Sequence, residues 1–380
     1  MPLPRKVILL LFDSLPLGEL GCYGGFREKT PGFDRLAARG AVFENAYTPV
    51  LIDQGSAFEE HGPWSSEWHT FADAFRQTGG ALDEVVCSTL AALAEATSPE
   101  RISRYLGRRE PGILAISGPE LVPPPVHGHL AVVDSVVAAI HAEVESARDV
   151  ETLLIVGALQ GASTAGSGPD DAAIDDDGEA GDEGEDDADR HPGASERDGE
   201  GFPRLIAGRV NVPLLVCPPN PVVPGLRLQA IVSTSDIVAT VRGWLLPHDR
   251  PDSAVGSRAS GGFDLRPLVD CERETVRTEM LIRGSGEIAL RTIDRYVVIR
   301  PDETMATLDG DGANGGRAEP DASATRGGER DVNLDSSGDT VAVFRKPEDV
   351  WDRLDVGNTM PEKRDMLVRR CRTLSAEISD

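Results

Sequence analysis

The chain has 380 residues, of which 40% are hydrophobic and 27% are charged. This composition is typical of a globular protein with a large buried core, and it excludes a collagen, a coiled coil and a fully disordered chain. Lysine and arginine total 38 against 64 aspartate and glutamate residues, so the formal net charge is −26 at pH 7. A surface this negative repels nucleic-acid phosphates and anionic lipid headgroups, so we expect no nucleic-acid and no membrane partner.

The five cysteines are far apart in the sequence and form no CxxC pair. This spacing predicts reduced, mostly buried thiols, and it indicates neither a zinc site nor a disulfide framework. The apolar run of residues 7–12 is too short for the core of a signal peptide or for a membrane span. No later run approaches the roughly 20 apolar residues of a transmembrane helix. We therefore expect a cytoplasmic protein.

The first predicted element is a strand over residues 7–12, which are all apolar. Such a run is typical of a parallel strand covered on both faces, so we place it in the centre of a sheet. The next element is a short helix that begins near Pro31 and ends at Gly40. Further strands are predicted over residues 41–43, 112–116, 152–156 and 212–217, and an amphipathic helix over residues 129–148. Strands that alternate with helices indicate an α/β fold.

Two segments interrupt this pattern. Residues 163–201 consist mainly of Gly, Ser, Asp and Glu, and residues 309–337 are rich in Gly and Asp. Neither segment has enough apolar surface to offset the entropy of ordering it. We predict a disordered acidic insertion at residues 163–201 and a flexible insertion at residues 309–337.

The carboxyl-terminal part of the chain has a different pattern of short strands. They are predicted over residues 278–282, 288–292, 296–300 and 340–344, before a helix over residues 361–378. We therefore predict an α/β domain over residues 1–276 and a smaller α+β subdomain, with an antiparallel sheet, over residues 277–380.

Several motifs, taken in this order, resemble the sulfatase family of the alkaline-phosphatase-like superfamily. The strongest are VILLLFDSL at 7–15, LGCYG at 20–24, KTPGFDRLAARG at 29–40 and FENAYTP at 43–49. Weaker similarity follows in VPLLV at 212–216, VSTSDIV at 232–238 and RTIDRY at 291–296. The resemblance implies a mixed sheet sandwiched by helices, with a small four-stranded sheet at the carboxyl end. It also implies hydrolysis of sulfate esters with a divalent metal, usually calcium.

The resemblance places metal ligands after two strands. Paired acids are expected after the first strand, where this chain has Asp13 and Ser14. An Asp followed by His or Asn is expected after the strand at 152–156, where this chain has Leu159 and Gln160. A hard cation requires several oxygen ligands, mostly charged, and leucine supplies none. We expect Asp13, Ser14 and Gln160 to be a vestigial metal site without tight calcium binding.

The nucleophile of the family follows the FENAYTP segment as Cys or Ser-x-Pro-Ser-Arg. Asp53 falls at the nucleophile position, and Ala57 falls where the Arg is expected. Asp53 is a candidate nucleophile, since a carboxylate can attack a phosphoryl group, but a plain surface loop is the alternative. The two active-site lysines of the family have no counterpart, because no lysine lies between Lys29 and Lys346.

Two functions remain open, and an acidic scaffold that acts through residues 163–201 is compatible with either. The first is a sulfatase-like protein that has lost its hydrolase activity and acts in binding or regulation, with no cofactor. The second is a hydrolase of sulfate or phosphate esters that uses calcium or another divalent metal in a remodelled site. In either case, the expected ligand is a small anionic ester or a protein partner.

Overall fold

The computed structural model describes residues 5–52, 66–119, 121, 128–162, 203–246, 262–284, 286–301 and 338–379. The candidate nucleophile Asp53 and the predicted insertions, residues 163–201 and 309–337, lie outside these described residues. None of the described helices is both long enough and apolar enough to span a bilayer.

The described chain forms two sheets with helices around them. The strands of the large sheet are β1 Arg5–Leu15, β2 Ala41–Tyr47, β3 Ala81–Val86, β4 Gly112–Gly118, β5 Glu151–Gly161, β6 Leu214–Cys217 and β7 Leu226–Ser233. Those of the small sheet are β8 Glu279–Gly284, β9 Glu287–Thr292, β10 Arg295–Arg300 and β11 Thr340–Arg345. The helices are α1 Pro31–Arg39, α2 Ser66–Gln77, α3 Leu90–Ala96, α4 Pro99–Leu106, α5 His129–Ser146, α6 Ala207–Val210, α7 Asp236–Leu245, α8 Arg266–Val269 and α9 Pro361–Ser379.

The large sheet has the strand order β3-β4-β1-β5-β6-β2-β7. Strand β1 lies inside it and pairs in parallel with β4 on one side and β5 on the other. Every side chain from Val7 to Phe12 is 0% exposed. Burial of an apolar side chain of this size contributes about 1.5–3 kcal/mol. The prediction of an interior parallel strand is confirmed, and the whole sheet is organised around it.

Strand β6 runs antiparallel to both of its neighbours, β5 and β2. The other six strands are parallel to one another, so their carboxyl ends lie along one edge of the sheet. This arrangement confirms the predicted mixed sheet. Strand β6 begins at Leu214 and not at the predicted Val212, because Pro213 has no N–H to donate to a neighbouring strand.

Helices enclose the large sheet, as predicted. Helices α1, α3 and α4 contact α5, whereas α2 contacts α7, which packs on β1. Helix α5 ends at Ser146, two residues before the predicted end, and α1 has the predicted bounds.

The small sheet has the order β11-β10-β9-β8, is antiparallel throughout, and is buried on both faces. On β10, Tyr296 and Val298 lie in one apolar cluster with Tyr47 at the end of β2. The alternate residues Val297 and Ile299 lie in a second cluster with side chains of α9. The period of two therefore directs one face toward the large sheet and the other toward α9.

The start of α1 is capped from a distant part of the chain. Asp134 on α5 is buried, and its Oδ1 accepts hydrogen bonds from the N–H groups of Gly32, over 2.7 Å, and Phe33, over 2.9 Å. Thr30, the residue before the helix, makes no such cap, because its hydroxyl oxygen accepts from the N–H of Gly21. Asp134 thus satisfies donors that would otherwise be orphaned and fixes α1 against α5.

We predict that Asp134→Ala lowers the free energy of unfolding by about 1–3 kcal/mol, because two backbone N–H groups lose their acceptor. Asp134→Asn is the matched control, since its side-chain oxygen still accepts both hydrogen bonds, and we expect a smaller loss. Urea unfolding followed by circular dichroism measures both variants. Equal unfolding free energies for Asp134→Ala and the wild type would show that this cap does not stabilise α1.

Candidate functional site

The three predicted metal-site residues all lie at the carboxyl ends of β1 and β5, but only two of them share a face of the sheet. The register pairs Ser14 with Gln160, and both side chains are buried, at 6% and 9% exposed. Asp13 precedes Ser14 on the same strand and is half-buried. Because successive side chains of a strand point to opposite faces, Ser14 and Gln160 share one face and Asp13 lies on the other.

The neighbour of Asp13 on β5 is aliphatic. The pairs on either side place Asp13 beside Leu159, which is 1% exposed. Leucine has no lone pair to offer a cation, and its burial keeps the position apolar. Asp13 therefore has no second carboxylate from β5 beside it.

The amide oxygen of Gln160 already accepts a hydrogen bond. Its Oε1 lies 2.9 Å from the backbone nitrogen of Ile52. A backbone N–H only donates, so the side-chain atom that faces it must be the oxygen and not the Nε2 group. An amide oxygen in this state offers a cation at most one further, uncharged lone pair.

The segment that Gln160 contacts, residues 48–52, is also tied to the small sheet. The N–H of Arg283 on β8 donates to the carbonyl of Pro49 over 3.0 Å, and the N–H of Leu51 donates to the carbonyl of Arg283 over 2.7 Å. Gly284 permits this close approach, because a Cβ there would lie 2.4 Å from the carbonyl oxygen of Leu51. Residues 48–52 therefore lie between the small sheet and the carboxyl edge of the large sheet.

Asp53 follows Ile52 directly in the sequence but lies outside the described residues. Its assignment as nucleophile or as a plain loop residue stays a prediction, as do the assignments of Asp13, Ser14 and Gln160 as metal ligands.

The residues at this edge do not fit a divalent cation. A hard cation takes about six to eight oxygen ligands, with several carboxylates among them. Here the two strands supply one carboxylate, one hydroxyl and one amide oxygen that is already engaged. Within the described part of the chain, no group of three or more His, Cys, Asp or Glu side chains is placed to hold a metal. We therefore derive no chemical step through a metal.

A second acidic residue near the same edge, Asp236 after β7, is fully engaged. It is 0% exposed, and its carboxylate accepts from the N–H groups of Ser233 and Phe263, each over 2.7 Å. The guanidinium of Arg277 donates to it over 2.7 and 2.5 Å. Four donors saturate this carboxylate, so Asp236 links the start of α7 to Arg277, which precedes β8, and both of its oxygens are engaged.

Sequence reasoning missed a buried link between the two sheets. The Nε of Arg291 on β9 donates to the hydroxyl of Tyr47 over 2.7 Å, and its Nη2 donates to Oδ1 of Asn45 over 3.0 Å. Burial raises the pKa of Tyr47 although the adjacent guanidinium opposes the shift, so the phenol stays protonated. No sequence signal could pair Asn45 with Arg291, because 246 positions separate them.

A cleft of about 250 Å³ lies away from this edge, with a lining that includes Cys22, Asp34 and Arg227. Burial raises the pKa of Cys22 to about 12, which leaves its thiol protonated and a poor nucleophile. Arg227 is already paired with the carboxylate of Glu44 over 2.6 Å. The one thiol that lines the cleft is therefore not an activated nucleophile.

Comparison with curated proteins finds short matches to sulfatases. The chain is 45% identical to human arylsulfatase A over 49 residues and 45% identical to human N-acetylgalactosamine-6-sulfatase over 47 residues. These matches cover 13% and 12% of this chain, and only 10% and 9% of the two relatives. The chain thus aligns with about a tenth of the length of these relatives. No family model matches the chain.

Comparison with solved structures extends over the whole fold. A 2-O GAG sulfatase is similar with a TM-score of 0.57 at 13% identity, over 100% of this chain and 92% of that chain. The phosphonate monoester hydrolase of Agrobacterium radiobacter is similar with a TM-score of 0.58 at 13% identity, over 98% and 96% of the two chains. These similarities confirm the predicted alkaline-phosphatase-like fold, and the short sequence matches are to sulfatases.

Proposed function

We propose that this protein has lost sulfuric ester hydrolysis and uses the retained fold for binding or regulation. The observation that carries the proposal is the hydrogen bond from the Ile52 N–H to Oε1 of Gln160. It engages the one oxygen that β5 offers at this edge, while the neighbouring Leu159 offers none. Asp13 is the single carboxylate that β1 and β5 supply at this edge, whereas a cation site usually has several.

The number of charge-stabilising groups that this chain lacks supports the same proposal. Removal of one preorganised charge-stabilising group typically costs about 2.7–4 kcal/mol in the transition state, or about 10²–10³ in rate. This chain lacks several such groups, because Ser14 and Leu159 replace acids and Ala57 replaces an arginine. The losses do not add strictly, yet the remaining carboxylates Asp13 and Asp53 supply no positive charge to offset them.

The lysines give an independent argument. No lysine lies between Lys29 and Lys346, so the central part of the chain has none to stabilise a sulfuryl oxygen. Lys346 is buried, and its Nζ lies 2.6 Å from Oδ1 of Asp352. Arginine is not an equivalent substitute, because its planar guanidinium has a different shape and reach.

The alternative is a hydrolase of sulfate or phosphate esters that uses calcium or another divalent metal. The retention of Asp13 at the carboxyl end of β1 favours this alternative. It requires ligands other than Leu159 and the engaged Gln160, so metal binding discriminates between the two functions.

For the binding function, we propose a small anionic ester or a protein as the ligand, and neither a nucleic acid nor a membrane, given the net charge of −26. We propose a cytoplasmic location, which the absence of disulfides supports. All five cysteines are free, and four of them are buried.

We predict that calorimetric titration of calcium, magnesium or manganese into the protein shows no saturable binding, because the edge offers a single carboxylate. We also predict that an aryl sulfate and an aryl phosphate turn over at the uncatalysed rate in the presence of each metal. The control is Asp13→Ala, which should behave as the wild type does in both assays. Turnover by the wild type that Asp13→Ala abolishes would contradict the proposal and establish the hydrolase alternative.

A second variant introduces an acid at position 159, where the resemblance expects one. Leu159→Asp places a carboxylate beside Asp13, and we predict a lower melting temperature that calcium partly restores, since two adjacent carboxylates repel each other until a cation binds. Leu159→Asn is the matched control, because it brings the same burial of a polar group without the charge. We predict that calcium leaves its melting temperature unchanged and that neither variant turns over an aryl sulfate. If calcium raised the melting temperature of both variants equally, position 159 would not be the place of the second metal-binding acid.

A further inference from the structure

We propose that Gln160 is a positioning residue that holds the segment leading to Asp53 by a hydrogen bond at the place where the resemblance expects a cation. This inference deepens the proposed function and shares its premise that no metal binds Gln160. If Gln160 acts in this way, the position of residues 48–52 does not depend on a divalent metal.

The backbone N–H of Ile52 needs a hydrogen-bond acceptor. Ile52 is partly buried and packs against the core of the large sheet. A backbone N–H removed from water costs free energy unless it is paired. The acceptor that the structure gives it is Oε1 of Gln160, at 2.9 Å.

The side chain of Gln160, which is the acceptor, is held rigidly. Gln160 lies in β5, and the register that pairs it with Ser14 of β1 continues without interruption to Gly161. Its side chain is 9% exposed, so its rotamers are restricted by packing. A hydrogen bond to such a side chain fixes the position of Ile52 relative to the edge of the sheet.

The small sheet also holds this segment, through backbone hydrogen bonds. Arg283 on β8 exchanges two backbone hydrogen bonds with Pro49 and Leu51, and the N–H of Thr48 donates to the carbonyl of Val210 over 2.9 Å. These bonds hold the start and middle of the segment, and Gln160 holds its end. The segment therefore needs no cation to reach a defined position.

The test is hydrogen exchange of individual amides in the full chain, measured by NMR. In Gln160→Leu, which removes the acceptor but keeps a similar volume, we expect the Ile52 amide to exchange at least about fivefold faster. The remote amide of Ala81, which donates to Pro111, should exchange at the wild-type rate. Gln160→Glu retains an acceptor oxygen, so we expect it to restore the protection of Ile52.

Wild-type protein treated with EDTA provides an arm that does not depend on the folding of a variant. We expect an unchanged exchange rate for the Ile52 amide, because no cation holds the segment. Faster exchange in EDTA, equal acceleration of Ile52 and Ala81 in Gln160→Leu, or a failure of Gln160→Glu to restore protection would each overturn the inference. These outcomes differ from a failure of the proposed function, which would appear as turnover of an aryl ester while Gln160 still protected Ile52.

Discussion

The parallel pairing of β1 with β5 determines which side chains meet at the carboxyl edge of the large sheet. Val7 to Phe12 are completely buried and the half-buried Asp13 follows them, so a shift of β1 by one residue would move this carboxylate into the buried run. The register is therefore fixed, and it places Ser14 beside Gln160 and Asp13 beside Leu159. The side chains that β1 and β5 themselves offer at this edge are these four.

Charged groups elsewhere in the fold are used to hold elements together. Asp134 caps α1, and Asp236 binds Arg277 and two backbone N–H groups. Arg291 donates to side chains of β2 from the small sheet. Each of these groups is buried and satisfied by hydrogen bonds, which is the condition under which a buried charge is tolerated. These buried charges therefore stabilise the fold without the residues of the candidate site.

Local sequence patterns predict the strands and helices that carry strong periodicity. The apolar run at residues 7–12 predicts β1, and Pro31 and Gly40 predict the bounds of α1, because these signals act over a few residues. Contacts between distant residues leave no such signal. The cap of α1 by Asp134 and the hydrogen bond between Gln160 and Ile52 join positions more than 100 residues apart, so only the fold reveals them. The resemblance to sulfatases places Asp13, Ser14 and Gln160 at the candidate site, but it does not show that Gln160 is engaged.

We expect the carboxyl edge of β1 and β5 to hold no divalent cation. Anomalous diffraction from crystals grown with manganese tests it most directly, since manganese replaces calcium or magnesium at oxygen sites and is located by its own signal. The account predicts no anomalous peak within bonding distance of Asp13, with Gln160 still bound to the Ile52 N–H. A manganese peak coordinated by Asp13 or by Oε1 of Gln160 would contradict this expectation.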